Sequence, residues 1–190
     1  MIVIISRLQP TDTSSENDNL RNEYTSVFSD VPSTGPPFAR IALGKTPEAI
    51  NFWLGNSRSV TSLHKDNYEN IYAQIRGQKH FVLLPPIAAP AVNERPIRAA
   101  TYVLRKDEAE TESIDLENLE PVLDKPASDV RWALWDPDVP EERATAYSKL
   151  VQPLRVTLNE GDMLYLPALW YHKVSQSCGE EGFCCAVNYW

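Results

Sequence analysis

Between Asn51 and Pro86 the chain is a succession of short runs closed off by glycine, proline and small polar residues. They are Asn51-Phe52-Trp53-Leu54-Gly55, then residues 59–66, then residues 69–76 ending at Gly77, then residues 79–84 ending at Pro85-Pro86. Runs of this length with such boundaries read as strands, and the two that meet at Gly77 are expected to form a hairpin. Side chains alternate along an extended segment, so His64 and Asp66 share a face. An imidazole nitrogen and a carboxylate oxygen so placed, completed by one distant histidine, make the two-histidine, one-carboxylate triad that leaves open positions on Fe(II). The chain has three histidines. His80 follows too closely on the neighbouring strand, beside Lys79, whereas His172 is far enough along to return from another strand of a barrel.

A lone His-x-Asp is a frequent triplet, and an exposed pair that binds nothing is its ordinary meaning; the surroundings decide. In the last third, Leu154-Arg155-Val156-Thr157-Leu158 alternates, and Asn159-Glu160-Gly161-Asp162 supplies a turn. Met163-Leu164-Tyr165-Leu166-Pro167 then leads into Trp170-Tyr171-His172. Alternation puts Trp170, His172 and Val174 on one face, expected to be the interior.

Taken together, Ser59-Val60-Thr61-Ser62-Leu63-His64-Lys65-Asp66, Tyr68-Glu69-Asn70, Gly77-Gln78-Lys79-His80-Phe81 and Leu84-Pro85-Pro86 resemble the Jumonji C (JmjC) group of Fe(II)- and 2-oxoglutarate-dependent oxygenases, in its small cupin-like branch. The Gly-Asp turn followed by proline and aromatic-x-His is similar to the same family independently of the first passage. Within the branch the likeness is strongest to the lysyl hydroxylases that act on developmentally regulated GTP-binding proteins. The resemblance implies a mainly β chain with a few helices, folded as a double-stranded β-helix (a jelly-roll, cupin-type barrel). It implies His64, Asp66 and His172 as metal ligands, and 2-oxoglutarate and O2 as co-substrates. Lys79 stands where the family binds the far carboxylate of 2-oxoglutarate, Thr61 looks like its hydroxyl partner, and Asn70, Tyr72 and Asn188 resemble further pocket positions. The implied activity is hydroxylation of a protein side chain, lysine by preference, in a translation-associated GTP-binding protein. Lysine demethylation, an inactive binding scaffold and a zinc or manganese cupin are the alternatives.

The clear match runs over residues 38–190, with residues 1–37 as an amino-terminal extension and residues 87–150 as an insertion in the barrel. Within these, Ile2 to Ile5 is a candidate strand, residues 11–19 a polar loop and residues 19–28 a short helix. Residues 87–100 are a connector, 101–105 a short strand, 106–121 an acidic solvated stretch, 131–135 a strand and 141–150 helix-like. Compared with the family the chain looks shortened at both ends, and those ends are where relatives dimerise, so a homodimer is one expectation. At 190 residues and 43% hydrophobic content the chain suits one domain with a real core. A formal charge of −8 opposes a role in binding nucleic-acid phosphates. Cys178, Cys184 and Cys185 form no C-x-x-C pair, so reduced thiols in cytoplasm or nucleus are expected. No stretch approaches a membrane span.

Overall fold

The computed structural model describes residues 2–4, 18–104, 119–127 and 129–190. The strands in it are β1 (Ile2–Ile4), β2 (Ile50–Gly55), β3 (Val60–Lys65), β4 (Asn70–Arg76), β5 (Gln78–Leu84), β6 (Glu94–Leu104), β7 (Leu119–Leu123), β8 (Asp129–Ala133), β9 (Leu154–Leu158), β10 (Met163–Leu166), β11 (Tyr171–Ser177) and β12 (Cys184–Tyr189). The helices are short: α1 (Asn19–Asn22), α2 (Thr25–Phe28) and α3 (Pro37–Leu43). Two four-stranded antiparallel sheets, β10-β4-β12-β2 and β3-β11-β5-β9, carry the centre of the molecule. From β2 to β5, and again from β9 to β12, the chain changes sheet at every step, which is a jelly-roll arrangement. The core lies between the two sheets, where Tyr72, Leu166 and Ala186 of one meet Phe81, Leu83, Leu158 and Val174 of the other.

This topology overturns the hairpin expected at Gly77. β4 pairs with β10 and β12, while β5 pairs with β9 and β11, so the two runs lie in different sheets. Gly77 turns the chain between them at φ +68°, and a Cβ there would stand 2.5 Å from the Ser177 carbonyl oxygen. Alternation has the same period whichever strand is the partner, and all four partners come more than seventy residues later.

The insertion also differs from expectation. A 3-10 turn over Pro86–Ala91 leads into β6, so the stretch read as connector holds more than half of an 11-residue strand. Pro96 masked it, yet Pro96 pairs only with Arg131 of β8, whereas β1 joins β6 at residues 98–100. A strand paired on one side tolerates proline. β6 runs parallel to β1 and antiparallel to β7 and β8. This third sheet and the 3-10 turn pack on the outer face of the β3-β11-β5-β9 sheet, through Ala88, Val92, Ala133 and Trp135 against Leu63, Leu84 and Tyr171.

Residues 19–28 form two four-residue helical turns in place of one helix. Asn19 donates to the Phe52 carbonyl (3.1 Å) and accepts from the Phe52 N–H (2.7 Å), so its side chain acts as a strand partner for β2 and covers that sheet edge. Leu20 and Ala39 cover the opposite face, against Ile50, Ile71 and Val187. Residues 141–150 hold turns and a 3-10 turn, Ser148–Leu150, in place of a helix. Ile5, residues 11–17 of the loop read at 11–19 and residues 106–118 of the acidic stretch read at 106–121 lie outside the described residues, while residues 119–121 of that stretch open strand β7. No helix among those described is long and apolar enough to cross a membrane.

Candidate metal centre and anion pocket

β3 and β11 hold the site, and an irregularity in their pairing makes it. His172 lies opposite His64 and Tyr171 opposite Lys65, but Val174 lies opposite Thr61, so β3 carries one residue more than β11. This bulge breaks strict alternation. Thr61 and His64, three residues apart, therefore line one cavity, while Leu63 between them is buried in the outer cluster with Leu84 and Tyr171. Asp66 follows the strand end, and its carbonyl accepts the Leu169 N–H at 2.7 Å, which ties it to the loop before β11.

One candidate ligand atom from each of His64, Asp66 and His172 lies within 4.8 Å of the others. The Nε2 atoms of His172 and His64 stand 3.4 and 3.8 Å from Asp66 Oδ2. Each ring donates from Nδ1 to a backbone carbonyl, His64 to Ser62 (2.8 Å) and His172 to Trp170 (3.0 Å). A carbonyl can only accept, so Nδ1 carries the proton and Nε2 presents its lone pair to the centre. Burial, then the neighbouring His172, pushes His64 down to about 4, which keeps the ring neutral near pH 7. Two nitrogen lone pairs and a carboxylate thus converge, and among the described residues no side-chain donor stands between them. A divalent cation relieves that crowding, and two imidazoles with one carboxylate suit Fe(II).

The same cavity, about 300 Å³, is lined by Thr61, Asn70, Tyr72, Lys79 and Asn188. All five residues named from sequence as co-substrate contacts are therefore gathered with the three candidate ligands. Lys79 is 5% exposed. Its ammonium donates to Gln176 Oε1 and lies 5.8 Å from the Trp53 ring and 6.0 Å from the Tyr72 ring. Among the described residues no carboxylate pairs with it, and burial pushes its pKa down to about 8. Asn188 links the adjoining wall, accepting from Trp53 Nε1 (2.6 Å) and donating to Asn70 Oδ1 (3.0 Å). His80 does not line the cavity; its ring bonds to Thr157 and Ser177 hydroxyls.

Three residues escaped the sequence reading. Gln176 was within reach of it, because His172, Val174 and Gln176 are spaced by two along one strand. Trp132, from β8, stacks flat on His64 (centroids 5.2 Å apart, planes 6° from parallel), and nothing near residue 132 in the sequence announces that contact. Trp190 lines the cavity too and stacks on Tyr68 at 5.0 Å.

The model of the cupin-like domain family matches residues 6–190. The chain belongs to the cupin-like JmjC family. Among its relatives, the "Lysine-specific demethylase JMJ32" of Arabidopsis thaliana is 40% identical over 182 residues, covering 92% of this chain and 50% of the relative. The "Bifunctional peptidase and (3S)-lysyl hydroxylase JMJD7" of Homo sapiens is 43% identical over 173 residues, covering 90% and 50%. This JmjC chain thus spans about half the length of those two curated relatives. The cupin domain of Drosophila melanogaster CENP-C aligns over 74% of this chain and 58% of that one, at 6% identity and a TM-score of 0.35.

Proposed function

We propose that this chain is the catalytic domain of an Fe(II)- and 2-oxoglutarate-dependent oxygenase that hydroxylates a lysine side chain of a protein. The observation that carries the reading is one cavity holding both a three-ligand set and a buried ammonium that has no carboxylate partner among the described residues. An unpaired buried cation is costly, and a dicarboxylate whose far end reaches Lys79 would supply the missing charge. His64, Asp66 and His172 would hold the metal on one side, leaving adjacent positions open. Metal and co-substrate together would supply the O2-dependent oxidation of an unactivated C–H bond. The chain's own part is binding and orientation. The two Nδ1–carbonyl bonds fix the ligand tautomers, Thr61 would offer its hydroxyl to a dicarboxylate in the cavity, and the Trp53–Asn188–Asn70 chain stiffens the wall.

The lysine target rests on the 43% identity to the human lysyl hydroxylase and on the motif resemblance, which points to a GTP-binding protein of the translation machinery. The 40% identity to the Arabidopsis demethylase favours a second reading, in which an N-methyl group is hydroxylated and lost. Purified protein is incubated with Fe(II), ascorbate, 2-oxoglutarate and lysine-containing peptides, with and without N-methylation. Succinate is followed by NMR and the peptides by mass spectrometry. Gain of one oxygen on lysine is the expected result; loss of a methyl group selects the second reading. Absence of succinate with metal demonstrably bound ends both.

A further inference from the structure

The sheet inserted between β5 and β9 reaches the candidate ligands at two points. Glu94, the first residue of β6, has a side chain only 11% exposed. Its Oε2 accepts from Lys65 Nζ at 2.7 Å and from the Tyr171 hydroxyl at 2.6 Å, and Lys65 Nζ also donates to the Tyr171 oxygen at 3.2 Å. Lys65 sits in the chain between His64 and Asp66, and Tyr171 immediately precedes His172. The two are opposite each other in the β3–β11 register. A single carboxylate therefore grips the segments that carry all three ligands, although neither Glu94 nor Tyr171 lines the cavity. The second contact is Trp132 of β8, flat against His64, beside Arg131, whose guanidinium reaches Glu94 Oε1 at 3.4 Å.

These contacts fall where the backbone ladder holds the ligands least firmly. The β3–β11 register shifts between His172 and Val174, and Asp66 lies beyond Lys65, the last paired residue of β3. We propose that the β6–β8 sheet is a working part of the metal centre and that Glu94 is its positioning residue, setting the separation of β3 and β11 at the ligands. The charge-assisted bond to Lys65 and the short bond to Tyr171 are directional as well as attractive, so they fix geometry in a way that apolar packing does not. Outer-sphere groups of this kind typically change metal affinity by about 10–100-fold when removed. The inference rests on the metal-binding reading above.

The test is Co(II) titration of the metal-free protein, followed by calorimetry and by the visible d–d absorption, which reports coordination geometry apart from turnover. Glu94→Gln is expected to bind Co(II) at least ~10-fold more weakly than the parent, with a changed d–d spectrum. Asp129→Asn removes an ion pair to Arg98 at the other end of the β6–β8 pairing from Glu94 and is expected to match the parent. Equal affinity and an identical spectrum for Glu94→Gln would overturn the proposal and leave the metal site standing. So would weaker binding that keeps the spectrum and is erased by salt, since that is a through-space charge effect. Should the parent bind no Co(II), the metal-binding reading fails and takes this one with it. If Glu94→Gln does not fold, Lys65→Met removes the same bond from the half-exposed end. Loss of folding in both assigns the carboxylate to general stability and overturns the proposal.

Discussion

Lys79 is the group with the most to gain from a ligand. A lysine whose ordinary value is 10.5, held at about 8 in the folded chain, destabilises that chain by about 3 kcal/mol at neutral pH. The sign follows from proton counting. Below pH 8 both states hold the proton and the cost is complete; between 8 and 10.5 only the unfolded chain holds it, so this contribution to stability improves as pH rises. If 2-oxoglutarate binds at Lys79 as proposed, its affinity is expected to move the other way, falling about tenfold per pH unit above 8 as the ammonium discharges, a slope that calorimetry across pH 7–10 measures. Lys79→Met removes the buried charge but leaves Gln176 Oε1 without its donor. The variant is expected to match or exceed the parent in urea midpoint, to bind Co(II) normally, and to bind 2-oxoglutarate about 100-fold more weakly or worse. His64 sets the acid side. With its folded value near 4 against 6.5, the unfolded ring takes a proton that the buried ring refuses. Urea denaturation at pH 7 and pH 5 is therefore expected to show a metal-free protein that loses stability on acidification.

Strand locations were legible because alternation and Gly/Pro boundaries are local: β2, β3, β4, β5, β9, β10 and β11 all fall on runs visible in the sequence. Strand partners were not. The turn at Gly77 looks the same whether it closes a hairpin or carries the chain to the other sheet. Its real demand is tertiary, since Ser177 O and the Gly179 N–H crowd the place of a side chain. Gly77→Ala combines that clash with a left-handed backbone and is expected to cost about 2 kcal/mol or more in urea denaturation. Gly161→Ala is a contrasting control: its φ is also positive, but nothing stands within 4 Å of its missing Cβ, so a cost of only about 1 kcal/mol is expected. The β3 bulge is a second case. Period-two reasoning puts Thr61 and His64 on opposite faces, and only the extra residue against β11 brings both into the cavity.

In the molecule as a whole, the proposed metal site joins segments that lie more than a hundred residues apart, so an ion bound there would cross-link β3 to β11. Mn(II) at about a hundred times its Kd is expected to add about 2.7 kcal/mol of stability, visible as a higher melting temperature that EDTA reverses and that His172→Ala abolishes. The third sheet supplies Trp132 and Glu94 to this site from within a stretch that reads, by sequence alone, as connector, short strands and acidic filler. The sequence by itself showed where most of the strands lie, which side chains are candidate ligands, and the family to which the chain belongs. Ligand types and spacings are properties of short segments, and alternation reports burial without reference to a partner. Only the tertiary structure decided which sheet each strand joins, that a bulge turns Thr61 inward, and that Glu94 and Trp132 stand beside the ligands. Those facts depend on pairings between distant segments, and a strand's own residues show that one face is buried without showing what buries it.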